Sequence, residues 1–98
     1  MIKHLKNSVV EFIYWKPNVD NLAVAGDFSD WKPLQLKKDG RNYWTGKLEL
    51  PAGEYKEYKF RYVSKNEEGK EEWFTDFAAD GTEQNHSGLN SLIRIVEE

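Results

Sequence analysis

Phe12-Ile13-Tyr14-Trp15-Lys16-Pro17-Asn18, followed by Leu22-Ala23-Val24-Ala25-Gly26-Asp27-Phe28-Ser29-Asp30-Trp31, reads as two strands and the turns that end them. Side chains alternate along a strand, so in the first, which reaches back to Ser8, Val10, Phe12 and Tyr14 share one face and Val9, Ile13 and Trp15 the other. Both faces are apolar, which predicts a strand covered on both sides and a core position for Trp15. Lys16-Pro17-Asn18 stops it, because proline removes a ladder donor. The second strand, Leu22 to Phe28, carries small residues around Val24 and Gly26, where another backbone or a ligand can come close. Ser29-Asp30-Trp31-Lys32-Pro33 is a turn by composition, and it sets a large indole where solvent normally stands.

Outward from this stretch the period stays that of strands. Leu34 and Leu36 begin a short strand that runs to Lys38, and Asp39-Gly40 is a hairpin signal leading into Tyr43 to Leu50. There Trp44, Gly46, Leu48 and Leu50 share a face, which places Trp44 in the core. Pro51-Ala52-Gly53 is a further turn. In Tyr55 to Val63 the aromatics fall at 55 and then at 58, 60 and 62, a change of phase that predicts a bulge near Lys56 and Glu57. Ser64 to Glu72 reads as a charged, exposed hairpin loop, Glu72 to Thr75 as a short strand, Phe77 to Gly88 as irregular, and Leu89 to Val96 as the last strand. About seven short strands imply an all-β fold, a sandwich of two sheets.

The chain of 98 residues is the size of one domain, expected to span 1–98. Cysteine is absent, so burial of apolar side chains, chiefly the four Trp, five Tyr and five Phe, must offset the ordering entropy. A net charge of −3 argues against nucleic acid as a partner, since tracking phosphates takes clustered positive charge. No apolar run follows Met1 to Lys6 and none later approaches about 18 residues, so neither a leader nor a membrane span is expected, and the cytoplasm is the expected compartment. His4 and His86 lack neighbours at metal-ligand spacing, so no metal is expected. Catalysis is not expected either. Glu67-Glu68 and Glu71-Glu72 lie in a solvated loop, whereas paired catalytic carboxylates need desolvation or a fixed partner to separate their roles.

The quoted stretch resembles the opening of the family 48 carbohydrate-binding modules, the starch- and glycogen-binding domains of branching enzymes, isoamylases and the β-subunit of AMP-activated protein kinase. Leu50-Pro51-Ala52-Gly53-Glu54-Tyr55 with Tyr58-Lys59-Phe60, Trp73 with Asp76, and Gly88-Leu89-Asn90-Ser91-Leu92-Ile93 agree with it in order, so the resemblance runs from about Val10 to Val96. It implies an immunoglobulin-like (early-set) β-sandwich that binds α-1,4-linked glucan such as glycogen, starch or maltooligosaccharides without catalysis and without a cofactor. It also implies the residues: Trp31 and Trp73 as sugar platforms, with Lys59 and Asn90 bonding the hydroxyl rim. The expected role is to tether a partner or fused activity, such as a glycogen-metabolism enzyme or a kinase, to the polysaccharide.

Each of these residues also has a plainer reading. Trp31 is a platform or a lid folded onto the sandwich edge, and strand alternation requires one of Trp73 and Phe74 to face inward. Lys59 alone is a solvated strand lysine, and Asn90 alone a strand-end residue bonding its own backbone. A sandwich with Trp31 and Trp73 buried or on opposite faces would instead be a protein-interaction or scaffold domain that pairs through an exposed edge strand.

Overall fold

A computed structural model describes residues 1–6, 9–50, 57–86 and 88–94. Ten strands are present among them: β1 (Ile2–His4), β2 (Val9–Trp15), β3 (Ala23–Gly26), β4 (Leu34–Gln35), β5 (Lys37–Lys38), β6 (Tyr43–Glu49), β7 (Glu57–Lys65), β8 (Glu71–Phe74), β9 (Gly81–Asn85) and β10 (Gly88–Arg94). One sheet has the order β1-β2-β6-β5 and the other β4-β3-β7-β10-β9, with β8 also pairing β7. All pairings are antiparallel. The fold is the all-β sandwich expected from the sequence.

Aromatic rings join the two sheets. Phe12 of β2 meets Phe60 and Tyr62 of β7 at ring-centroid distances of 5.3 and 6.5 Å, both edge to face, and Tyr14 stacks on Tyr62 at 4.3 Å. Edge-to-face and offset geometries add to simple area burial because ring edges are positive and faces negative. Tyr62 also donates its hydroxyl to Asp76 Oδ2 at 2.8 Å, and Asp76, only 2 % exposed, further accepts from the Ala78 backbone and pairs with the Met1 ammonium. The buried carboxylate thus has partners, as a charge in a low-dielectric interior requires.

Strand count and burial depart from the sequence reading at several points. The stretch from Leu34 to Lys38 is two strands, not one: β4 pairs β3, β5 pairs β6, and the chain changes sheets at Leu36, which is buried. Phe77 to Gly88 contains β9, hidden from a pattern search because its residues Gly81 to Asn85 are polar and lie mostly exposed at a sheet edge. The loop before β8 narrows to a tight turn at Asn66 to Lys70, with the Asn66 carboxamide accepting from Glu68 and Lys70 N–H groups. Trp44 is buried as expected, but Trp15 is 56 % exposed. The outer face of β2 holds half-buried Val9 and Ile13 and, among the described residues, no sheet covers it, so Trp15 is a surface residue. The bulge expected near Lys56 and Glu57 falls partly outside the described residues, and β7 begins at Glu57.

Candidate functional site

Alternation along β7 prepares the site. Tyr58, Phe60 and Tyr62 point into the core, which sends Lys59 and Arg61 to the outer face of the larger sheet. The same rule on β8 turns Phe74 towards Tyr14, at 6.3 Å, and Trp73 outward beside Val63. Trp31 arrives by a different route. After β3 a short 3-10 turn, Asp27–Ser29, is followed by Asp30 and Trp31 in the left-handed region, at φ 52° and 59°, and Trp31 N–H closes the turn on Gly26 C=O at 2.9 Å. The chain doubles back tightly enough to lay the indole over the sheet.

That turn depends on Gly26. A Cβ there would stand 2.4 Å from the Lys59 carbonyl oxygen and 2.9 Å from Phe60 Cβ, so β3 and β7 approach at a spacing only glycine allows. Asp27 then ties the two elements together: its Oδ1 accepts from Trp31 Nε1 at 3.1 Å and its Oδ2 from Lys59 N–H at 2.9 Å.

The outcome is one open cleft of about 590 Å³, within the roughly 300 to 1,000 Å³ common for small-ligand sites, lined by Trp31, Lys59, Trp73 and Asn90 together. Trp31 and Trp73 are 36 % and 41 % exposed, with ring centroids 6.5 Å apart and planes inclined by 53°. Lys59 is partly exposed and its Nζ lies 3.5 Å from Glu83 Oε2, a surface pair that constrains it weakly. Asn90 differs from the expectation: it is only 2 % exposed, and its Oδ1 accepts from Arg61 Nε at 2.6 Å.

Three further residues line the cleft that sequence reasoning did not single out, Asp27, Arg61 and Asn85. Two had a signal. Arg61 stands two residues after Lys59 and so shares its face, and Asp27 sits four residues before Trp31, within reach across a turn. Asn85 lies in the segment read as irregular, where no periodicity could place it.

Residues 2–79 match the family model of carbohydrate-binding module 48, the isoamylase N-terminal domain. The chain belongs to the carbohydrate-binding module 48 family. The module is also 35 % identical over 69 residues to a 1,4-alpha-glucan branching enzyme of Lactobacillus acidophilus, covering 69 % of this chain and 10 % of that enzyme. Branching enzymes of Clostridium perfringens and Thermosynechococcus vestitus are 34 % and 36 % identical over 62 residues, 62 % and 61 % of this chain and 9 % and 8 % of theirs. The chain spans about a tenth of the length of the curated relatives it matches. A module of this family is a non-catalytic carbohydrate binder. The family match opens earlier than the resemblance read from the sequence, at residue 2, and stops at 79, so Trp31, Lys59 and Trp73 lie inside it and Asn90 beyond it.

Proposed function

We propose that the module binds α-1,4-linked glucan through Trp31 and Trp73 and tethers a partner or fused activity to that polysaccharide. The observation that carries this is the pair of exposed indoles on one face, in contact and inclined by 53°. A pyranose ring has an apolar C–H face that a flat aromatic can cover, and hydroxyls around its rim. Two rings set at an angle form a trough, which suits a chain that turns between successive units, as an α-1,4-glucan does, over the flat ribbon of a β-1,4-glucan. Lys59 and Arg61 line the same cleft and carry N–H groups of the kind that bond a hydroxyl rim. Both indoles sharing one solvent face is also the arrangement that favours sugar binding over the scaffold alternative.

If each indole removes on the order of 50 to 100 Å² of apolar surface, at about 25 cal/mol per Å², each ring contributes roughly 1 to 2.5 kcal/mol. After association costs, the dissociation constant falls in a range of roughly micromolar to millimolar, tighter for longer chains. Because the named relatives are branching enzymes, a glucan-processing activity is the proposed tethered partner, in preference to a kinase. Isothermal titration with maltoheptaose and with cellohexaose tests the reading: heat of binding with the first and little or none with the second is expected. Equal affinity for both, or none for either, overturns it.

A further inference from the structure

The resemblance implies a rim-bonding role for Asn90 and assigns none to Arg61. Asn90 is nearly sealed at the base of the cleft and its carboxamide oxygen is committed to Arg61 Nε, whereas Arg61, which also lines the cleft, is half-buried and the more exposed residue of the two. They occupy neighbouring strands, one position past the Phe60–Ser91 pair in the β7–β10 register, so their contact is set by the sheet itself.

Little holds the Arg61 side chain. Its one side-chain hydrogen bond among the described residues is to the neutral Asn90, and no described carboxylate pairs with it. Nη2 is buried with no partner, the only such side-chain atom among the described residues. A charged donor left unpaired is costly, and groups of this kind call for an explanation. Gly88 makes room for it: at φ +118° and with a would-be Cβ 3.2 Å from Nη2 and 3.5 Å from Nη1, this position admits no larger residue without strain and crowding. The local acids are occupied elsewhere, Asp27 by Trp31 and the Lys59 backbone, Glu83 by Lys59.

We propose that Arg61 is the residue through which the cleft floor bonds the sugar, taking adjacent hydroxyl oxygens of a glucose unit as acceptors, and that Asn90 is its positioning residue and not itself the donor. The inference rests on the glucan reading above. The planar guanidinium offers its N–H groups as a fork, a geometry matched to two neighbouring oxygens. Since Nη2 is closed to water in this state, the guanidinium swings out from beneath Gly88 when sugar arrives, and the ligand supplies the missing acceptor.

The test uses maltoheptaose with the intact chain, reading affinity by titration, stability by melting temperature, and the Arg61 Nε–H resonance by NMR. Arg61→Met keeps the apolar stem and is expected to weaken binding roughly tenfold or more, as loss of a charged hydrogen bond does, without lowering the melting temperature. Arg61→Lys should recover part of the affinity. Asn90→Asp retains the acceptor for Arg61 but deletes the amide donors, so it should bind within about threefold of the parent on the usual scale of small mutational effects, whereas Asn90→Ala should not. In the parent protein the Arg61 Nε–H signal should move on titration. An unmoved signal, parent-like binding by Arg61→Met, or equal losses in Asn90→Asp and Asn90→Ala overturns the proposal while the glucan reading stands. A parent protein that fails to bind maltoheptaose removes the glucan reading and this inference with it.

Discussion

Trp31 follows Asp30 in the left-handed region, and a bulky residue at φ 59° is held there at a cost of about 1 to 3 kcal/mol. Among the described residues it is held by the Trp31 N–H to Gly26 bond, the indole bond to Asp27 and the ring contact with Trp73. The first is a backbone bond that survives truncation of the side chain, and the other two lie at the surface. Trp31→Ala is therefore expected to abolish retardation in glycogen-containing native gels while moving the melting temperature by no more than a few degrees, since exposed substitutions away from the core seldom exceed about 0.5 to 1 kcal/mol. A collapse in melting temperature would show that the indole supports the fold and is not held ready for a ligand. Trp15 carries the opposite lesson at the same scale. Its sequence neighbours are as apolar as those of Trp44, yet one is 56 % exposed and the other 4 %. Alternation says which residues share a face, and only the packing of a second layer says which face is covered.

At the scale of elements, the decisive contact is that between β3 and β7. Gly26 lets the Lys59 carbonyl come within 2.4 Å of where a Cβ would be, and the turn that begins there sets Trp31 over β7. Gly26→Ala should force the strands apart or bend the turn, costing roughly 1 to 3 kcal/mol, the range for overpacking. For a chain of this size that lowers the melting temperature by roughly 4 to 20 °C. Glucan affinity should fall in the survivors, because the Asp27 clamp is displaced; an unchanged melting temperature by calorimetry would refute the packing argument. The same scale explains what the pattern reading missed. Leu34 to Lys38 looks continuous, but Leu36 is pulled in by its N–H bond to the Leu22 carbonyl at 2.9 Å, and the residues on either side serve different sheets. β9 is polar, and its ladder to β10 forms through backbone groups that side-chain pattern does not encode.

Across the whole molecule, Tyr14, Tyr62 and Asp76 connect the sheets and make the fold sensitive to alkali. Burial first, and the Asp76 charge second, push both phenols above their ordinary value. In the unfolded chain a tyrosine loses its proton near pH 10, whereas the folded chain keeps Tyr62 and Tyr14 protonated beyond it. Above about pH 10 the folded state thus binds more protons than the unfolded one, and stability, fully present below that pH, falls as pH rises, for Tyr62 by up to about 1.4 kcal/mol per pH unit. Melting temperatures measured from pH 8 to 11.5 should drop steeply above 10, with part of the tyrosinate absorbance at 295 nm appearing only as the protein unfolds. Tyr62→Phe should flatten that drop. Full ionisation of all tyrosines in a folded protein would contradict it.

The sequence made legible the class of fold, the core position of Trp44 and the shared face of Tyr58, Phe60 and Tyr62 opposite Lys59, because these follow from a two-residue period and hydrophobicity. Its motif strings also carried the family, which the match over residues 2–79 shows. Only the folded arrangement shows that Trp31 and Trp73, far apart in the chain, lean together at 6.5 Å, that Asn90 sinks beneath Arg61, and that Trp15 faces water. Contacts between distant elements depend on how closely backbones approach and which layer covers which face, and local pattern records neither.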